Sequence, residues 1–183
     1  GKTIIAVIAA ARILQQNPDA KILMVATTRE LAKQHQDLFR ALMPGHKTGI
    51  ITGLIPAAKR LKVWADNNII IATSQAIRED IEGYDLSKVD YLIIDEAHHA
   101  TKSHSHAVIA KTYLRQRKIT GRPALTLGLT ASPGSEFSRI EEIMNNLGVE
   151  NRGLQIRTEE DTDVKSYIQW STTKYVDVPY KSV

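Results

Sequence analysis

The sequence contains no cysteine, so disulfide bonds and thiolate metal sites are both excluded. It also lacks a long hydrophobic run: no apolar stretch approaches the ~20 residues that a membrane-spanning helix needs, and no signal peptide is visible. Both absences are consistent with an intracellular protein, and no membrane partner is expected.

What the chain does contain is typical of a soluble globular domain. Its 183 residues, 43% hydrophobic and 24% charged, suffice for one domain with a sizeable core. The formal net charge of +4 is compatible with a polyanionic partner such as nucleic acid, but so mild an excess does not require one.

Short apolar runs rich in β-branched residues alternate with longer segments of helical periodicity. The runs are hydrophobic nearly throughout, as in strands covered on both faces, and the alternation favours a parallel sheet. The predicted fold is α/β, a three-layer α/β/α sandwich with a mostly parallel central sheet. The predicted strands are Ile22–Ala26, Thr48–Ile51, Ile69–Ala72, Tyr91–Ile94 and Leu125–Leu129, and the predicted helices are Thr3–Gln16, Arg29–Leu42, Pro56–Ala65, Gln75–Ile81, His106–Arg117 and Glu136–Leu147.

Helical spacing also predicts which side chains of the first two helices face the core. In the second helix Leu31, His35, Leu38 and Leu42 recur at that spacing, and Leu31 and Leu38 are expected in the core. In the first helix the predicted apolar face consists of Ile4, Ile5, Ile8, Ala11 and Ile13.

The first three residues, Gly1, Lys2 and Thr3, match the end of the phosphate-binding loop GxxxxGK[ST] and precede a predicted helix. At a helix N-terminus free amides face phosphate oxygens, a lysine reaches the β- and γ-phosphates, and a hydroxyl binds Mg²⁺. All three residues are therefore candidates to bind ATP, with Thr3 as a metal ligand. Taken alone, so short a match favours the simpler interpretation, a solvated lysine on a terminal helix.

The apolar run Tyr91–Ile94 leads directly into two adjacent carboxylates. A buried strand that delivers an aspartate to its carboxyl end is the Walker B pattern, in which Asp95 would bind Mg²⁺ and Glu96 would orient and deprotonate the attacking water. A strand that simply ends in two solvated acids is the alternative. Because the tetrapeptide DEAH follows GKT by about ninety residues, we predict that Lys2, Asp95 and Glu96 converge on Mg²⁺ and the phosphates of ATP.

Histidines crowd near this tetrapeptide, at positions 98, 99, 104 and 106, which raises the question of zinc. Neither HEXXH nor cysteine is present, and no carboxylate stands at the usual helical spacing to two of these histidines. We therefore expect no metal there. His98 is assigned to the DEAH motif, and His99, His104 and His106 are predicted to be surface or loop residues.

Five segments occur in order along the chain: GKT, VATTRELAKQHQDLF, IATSQAI, DEAH and LTAS. Together they resemble the first motor domain of a superfamily-two helicase of the DEAH/DECH type, over essentially the whole chain. The resemblance implies a RecA-like fold, with ATP and Mg²⁺ as cofactors. It also implies that residues 1–183 form one ATP-binding domain, truncated within the phosphate-binding loop and separated from a second motor domain that supplies an arginine finger. On that expectation the 183 residues alone hydrolyse ATP negligibly.

The resemblance further assigns a nucleic-acid groove to three strand ends. Hydroxyls, free amides and a guanidinium there could hold phosphates, although Thr28 could simply cap a helix and each segment alone could be a turn. Contacts to phosphate and sugar predict salt-sensitive binding that is largely independent of base sequence. The candidate nucleic-acid-binding residues are Thr27, Thr28, Arg29, Thr52, Gly53, Thr73, Ser74 and Gln75.

The segment Leu129–Ser132 resembles the motif that couples the two sites. Thr130 and Ser132 follow a predicted buried strand and can hydrogen-bond the DEAH region, including His98. Loss of the γ-phosphate could then rearrange this network and change the hold on the nucleic acid. An ordinary polar turn is the alternative.

The segments LGLTASPGS, MNNLGVE and IRTEEDTDVKSYI look most like the archaeal Hef helicases and their Fanconi-anaemia M relatives, with RIG-I-like receptors and Dicer helicases as cousins. This implies action on branched or forked DNA, with DNA preferred over RNA, in the cytoplasm or nucleoid of an archaeon or the nucleus of a eukaryote. Two alternatives stay open: an ATP-switched module that senses or binds double-stranded RNA without processive unwinding, and a general P-loop metabolic enzyme.

Overall fold

The structure, a computed structural model, describes residues 2–157 together with 161 and 162. The chain forms two compact units, Gly1–Arg152 and Gly153–Val183. All helices and strands named below belong to the first unit. Within the described residues, no helix is long and apolar enough to cross a membrane.

The first unit is built around one sheet of five strands, which pair only in parallel, in the order β2-β3-β1-β4-β5. All eleven predicted elements are present, with ends that differ by up to two residues from the predicted ones. The strands are β1 Lys21–Ala26, β2 Thr48–Ile51, β3 Ile69–Thr73, β4 Val89–Asp95 and β5 Thr126–Leu129, and the helices are α1 Lys2–Gln16, α2 Arg29–Leu42, α3 Ala57–Asp66, α4 Ser74–Glu79, α5 Ser105–Ile119 and α6 Phe137–Leu147.

Each face of the sheet is covered by helices. Successive strand residues point to opposite sides, so a continuously apolar strand has hydrophobic side chains to bury on both faces. In β1, Ile22 and Met24 pack in one cluster with side chains of α1 and α2. Leu23 and Val25 pack in the other cluster, with side chains of α3, α4, α5 and α6. The predicted three-layer arrangement is thereby confirmed, and continuous hydrophobic runs mark strands buried on both faces.

The buried face of α1 is not the predicted one. Ile4, Ile5 and Ile8 are exposed, at 40%, 55% and 51% of their surface. The helix instead turns mainly small residues towards the core, and these three isoleucines are on the outer side. The buried residues of α1 are Ala6, Val7, Ala10 and Leu14, with Ala11 and Ile13 partly buried.

Helix α2 also buries a different set of side chains. Leu31 and Leu38, predicted in the core, are partly buried and pack against its edge, and Leu42 is 52% exposed. Two polar side chains of this helix, His35 and Gln36, are buried. A polar residue is stable there only if it has a hydrogen-bond partner, so this helix has buried contacts that its apolar pattern does not show.

Parallel pairing brings all strand ends to one edge of the sheet. Ala26 pairs with Thr73, Val25 with Ile94, and Asp95 with Leu129. The chain leaves β1 towards β2 on one side and leaves β4 towards β5 on the other, so the direction of winding reverses between β1 and β4. Ligands of open α/β sheets bind in the crevice outside the carboxyl ends of the strands at such a reversal.

Candidate nucleotide and nucleic-acid sites

Lys2, on the first turn of α1, lies against the acidic pair at the end of β4. Its Nζ is 3.3 Å from Oε1 of Glu96, and both side chains are about one third exposed. These residues are 94 positions apart in the sequence. The structure therefore brings the lysine of GKT and the acids of DEAH to one place, as the sequence predicts.

Asp95 is the buried member of the acidic pair. Its side chain is 9% exposed, its Oδ2 lies 2.7 Å from Nε2 of His35, and its Oδ1 accepts the backbone N–H of Glu96 at 3.0 Å. Burial raises the pKa of Asp95. The hydrogen bond and charge of His35, with smaller effects from the Glu96 amide and Lys2, lower this pKa by more than burial raises it. The net pKa lies below the ordinary value of 3.8, so Asp95 is a carboxylate at neutral pH.

Glu96 adopts a backbone conformation that side-chain-bearing residues rarely take. Its φ of 48° and ψ of 51° are left-handed. This conformation turns the chain sharply out of β4. Strained non-glycine residues of this kind cluster at functional sites, where the surrounding structure holds them.

Oxygen ligands for a hard cation are available around Lys2. Thr3, next to it in the first turn of α1, is partly buried, and the Asp95 carboxylate lies at the end of β4. Hydroxyl and carboxylate oxygens are ligands that Mg²⁺ prefers, so these two residues suit the ion. Gly1, the third predicted phosphate-binding residue, lies outside the described residues.

His98 connects the acidic pair with the segment after β5. Its Nδ1 lies 2.9 Å from Oγ1 of Thr130 and 3.2 Å from Oε2 of Glu96. Since a carboxylate only accepts, the contact with Glu96 requires a proton on Nδ1. Ser132 is exposed, and its backbone N–H donates to Oγ1 of Thr130 at 3.1 Å. Burial, with the neighbouring His99, lowers the pKa of His98 below its ordinary 6.5.

A second feature of the carboxyl edge is an open cavity of about 340 Å³ at the ends of β1, β2 and β3, which we name the strand-end cavity. Six of the eight predicted nucleic-acid-binding residues line it. Thr28 also caps α2, because its Oγ1 accepts the backbone N–H of Leu31 at 3.2 Å. The cavity is lined by Thr27, Thr28, Arg29, Glu30, Gly53, Leu54, Thr73, Gln75, Ala76 and Glu79.

Two predicted residues do not line the strand-end cavity. Thr52 and Ser74 are 7% and 2% exposed, so their side chains are turned into the protein. Ser74 and Gln75 are also the first residues of helix α4 rather than loop residues. Among the lining residues, the carboxylates of Glu30 and Glu79 oppose the charge of Arg29, so affinity for a polyanion there depends on specific contacts more than on net charge.

The prediction that all histidines after His98 are surface or loop residues is wrong for His106. This side chain lies in α5 and is fully buried. Its Nδ1 is 3.0 Å from Nδ1 of His104, and within the described part of the chain its Nε2 has no hydrogen-bond partner. Burial, with the neighbouring histidines, lowers the pKa of His106 to about 3, so the ring is neutral. In residues 2–157, 161 and 162, no cluster of three or more histidine or acidic side chains is arranged to hold a metal ion.

His35 is a functional candidate that the sequence does not reveal. Periodicity indicates that it faces inwards from α2, but its carboxylate partner is 60 positions away. Only the observation that a histidine stands among leucines on a buried helix face could have drawn attention to it, because such a side chain needs a polar partner.

A lysine at a helix start beside an acidic pair, at the reversal point of a parallel sheet, is the arrangement found in nucleotide-binding domains of the P-loop class. The sequence model of the family "Type III restriction enzyme, res subunit" matches residues 1–135. The chain belongs to this family.

Named relatives and a solved structure agree with the resemblance inferred from the sequence. A Methanocaldococcus jannaschii protein named as an ATP-dependent RNA helicase is 40% identical over 172 residues, 92% of this chain and 21% of that protein. The Neurospora crassa ATP-dependent DNA helicase Mph1 is 33% identical, over 92% of this chain and 14% of that protein. The crystal structure of the Pyrococcus furiosus Hef helicase domain superimposes with a TM-score of 0.81 at 38% identity, over 92% of this chain and 35% of that chain.

These comparisons confirm the RecA-like fold and the resemblance to superfamily-two helicases of the Hef type. The chain spans about a fifth or less of the length of the two curated relatives.

Proposed function

We propose that this chain is the ATP-binding motor domain of an ATP-dependent helicase or translocase that acts on nucleic acid, on branched or forked DNA in preference to RNA. The observation that carries the proposal is the contact between Lys2 and Glu96, with Asp95 beside them, on the edge that also carries the strand-end cavity. A general P-loop enzyme would need the first of these sites but not the second.

In this proposal the phosphates of ATP lie at the start of α1. Lys2 and the amides of the first helical turn, with Gly1, bind the β- and γ-phosphates. Thr3 and Asp95 would hold Mg²⁺, which supplies positive charge to the phosphate oxygens. Asp95 suits that role because it stays ionised and its carboxylate is fixed by two hydrogen bonds.

Glu96 is the proposed general base. A water oxygen attacks the γ-phosphorus, the bond to the leaving β-phosphate oxygen breaks, and the proton of the water passes to the Glu96 carboxylate. Its left-handed backbone directs the side chain away from the line of β4, towards Lys2 and His98.

The link between hydrolysis and nucleic-acid binding would begin at His98. Because His98 touches both Glu96 and Thr130, a change at Glu96 can alter the segment after β5. Thr130 and Ser132 are the proposed coupling residues on that segment, and the second motor domain is their proposed partner.

Backbone recognition in the strand-end cavity supports nucleic acid as the substrate. Hydroxyls, helix-start amides and one guanidinium contact phosphates without identifying bases. The names of relatives divide between DNA and RNA: the Neurospora protein is named for DNA and the Methanocaldococcus protein for RNA. We favour DNA because the sequence resembles the Hef and Fanconi-anaemia M helicases, a resemblance that implies action on branched DNA. The protein would then act in the cytoplasm or nucleoid of an archaeon, or in the nucleus of a eukaryote.

The hydrolysis step is tested by Glu96→Gln in the full-length protein that carries this domain. We expect the DNA-stimulated ATPase rate to fall by about 10²–10⁴-fold, the range that general-base catalysis contributes, while binding of a fluorescent ATP analogue is retained. Strand displacement on a forked duplex should be lost as well. An unchanged hydrolysis rate would refute the assignment of Glu96.

The same assays separate the alternatives. Arg29→Ala should weaken stimulation of the ATPase by single-stranded DNA, whereas Arg12→Ala, an exposed arginine on α1 that does not line the strand-end cavity, should not. If Arg29→Ala also has no effect, a general P-loop enzyme is favoured. Strong ATPase with double-stranded RNA and no displacement of either DNA or RNA would favour the sensing module.

A further inference from the structure

A buried polar pair connects helix α2 to the proposed metal site. His35 is 4% exposed, and its Nε2 lies 2.7 Å from Oδ2 of Asp95. The hydrogen bond joins α2 to the end of β4, so Asp95 is held by a side chain of a helix other than α1.

The direction of this hydrogen bond is fixed by Asp95. A carboxylate oxygen only accepts, so at 2.7 Å from Oδ2 the His35 ring must carry a proton on Nε2. The other oxygen, Oδ1, accepts the backbone N–H of Glu96. Each carboxylate oxygen is thus held by one donor and keeps a lone pair for a further ligand. That is the arrangement of a carboxylate oriented for a metal by its hydrogen-bond partners.

Stability alone is a poor explanation for the pair. Burying two polar groups carries a desolvation cost, and a buried pair commonly adds little stability compared with apolar side chains of similar volume. The neighbouring Gln36 makes a different kind of contact. Its side chain donates to the backbone carbonyl of Thr48 at 3.4 Å, and this hydrogen bond does not involve the acidic pair.

We propose that His35 is a positioning residue that orients the Asp95 carboxylate for Mg²⁺ and thereby sets the affinity for the metal–nucleotide complex. This inference rests on the proposed function, since it takes Asp95 to be the metal-binding carboxylate. His35 itself contacts neither nucleotide nor metal in this proposal. Removal of a partner that orients a ligand typically lowers metal affinity about 10–100-fold.

The test uses the full-length protein and three variants. His35→Leu removes the donor, His35→Gln keeps an amide near the position of Nε2, and Gln36→Leu is the matched control from the same buried helix face. The main readout is the Mg²⁺ concentration that gives half-maximal binding of a non-hydrolysable fluorescent ATP analogue. Thermal unfolding is measured alongside.

We expect His35→Leu to raise the half-saturating Mg²⁺ concentration about tenfold or more, and His35→Gln to restore most of the loss. Gln36→Leu should lower the melting temperature without changing the Mg²⁺ requirement. If His35→Leu does not fold, His35→Asn replaces it, because its shorter amide cannot reach Oδ2 and should behave as the leucine would.

The inference is overturned if the donor-free variant lowers the melting temperature but binds Mg²⁺ and nucleotide like the parent. Asp95→Asn distinguishes this failure from failure of the proposed function. If Asp95→Asn raises the Mg²⁺ requirement and the His35 variants do not, only the role of His35 is wrong. If Asp95→Asn has no effect either, the assignment of the metal site is wrong.

Discussion

Two buried histidines show how single side chains depend on their partners. His35 donates to an ionised carboxylate and is fully satisfied on that side. His106 has a different environment: His104 Nδ1 accepts the His106 backbone N–H, so its lone pair faces His106 and the ring proton of His106 lies on Nδ1. Among the described residues Nε2 of His106 has no hydrogen-bond partner, and its burial tolerates a neutral ring but not a charged one.

His106 should therefore make the stability of the fold depend on pH. Burial lowers its pKa from 6.5 to about 3, so between these values the unfolded chain binds a proton that the folded chain does not. The free energy of unfolding should fall as the pH drops from about 6.5 towards 3, by up to about 1.4 kcal/mol per pH unit from this residue. Urea unfolding at pH 7, 6 and 5 measures the slope.

His106→Leu tests the assignment of that slope. The variant is expected to lose stability at pH 7 through altered packing, but its stability should decline less between pH 7 and pH 5 than that of the parent. Parallel stability curves for the two proteins would show that another group is responsible.

Local sequence patterns predict side chains that belong to a motif or a periodic face. They do not predict contacts between side chains that are distant in the sequence. Asp95 and Glu96 are recognisable because they directly follow an apolar run. The burial of His106 is not, because a crowd of histidines after DEAH looks the same whether the rings are exposed or buried. The position of His35 at helical spacing indicates that it faces inwards, but its partner Asp95 is 60 residues away and no local pattern points to it.

Helices α1 and α2 illustrate the same limit for whole elements. Hydrophobic periodicity predicts both helices and both exist, but the buried face of α1 is formed mainly by small residues, while Ile4, Ile5 and Ile8 are exposed. Periodicity finds an apolar helix reliably. It does not distinguish a face that packs closely through small residues from one that packs through large residues, because that choice depends on the distance to the sheet.

Close packing also fixes the position of strand β2 against helix α3. Gly49 lies where a Cβ atom would be 2.6 Å from Cγ1 of Val63 and 2.8 Å from Nδ2 of Asn67. Asn67 in turn donates from Nδ2 to the carbonyl of Val63 at 2.8 Å, so it cannot move without losing that bond. We predict that Gly49→Ala destabilises the protein by about 1–3 kcal/mol, as overpacking typically does.

Gly45→Ala is the control for this prediction. A Cβ atom there would meet nothing within 4 Å, and its backbone has no positive φ, so the change in unfolding free energy should stay within about 0.5 kcal/mol. Both variants are measured by urea unfolding at pH 7. Equal stability of the two would show that β2 can move away from α3 at no cost.

At the scale of the whole molecule, the position of the candidate site depends on the sheet topology more than on any single motif. Four of the five motifs meet because parallel strands place all their carboxyl ends at one edge, and the reversal between β1 and β4 opens the crevice there. The fifth, GKT, reaches the same edge from the start of α1, where Lys2 contacts Glu96. This convergence could be predicted once the motifs were assigned to strand ends. The preferred nucleic-acid structure could not, because backbone contacts recognise phosphate and sugar that many substrates share.

The most direct test of the whole proposal is the affinity for a fluorescent ATP analogue with Mg²⁺, measured for the full-length parent and for Lys2→Ala, Asp95→Asn and the double variant. Each single change should weaken binding by about tenfold or more, since charge-assisted contacts contribute about 1.5–3 kcal/mol. The double variant should lose less binding free energy than the sum of the losses in the two single variants, because both residues act on one ligand. Binding as tight as that of the parent in either single variant would contradict a shared metal–nucleotide site.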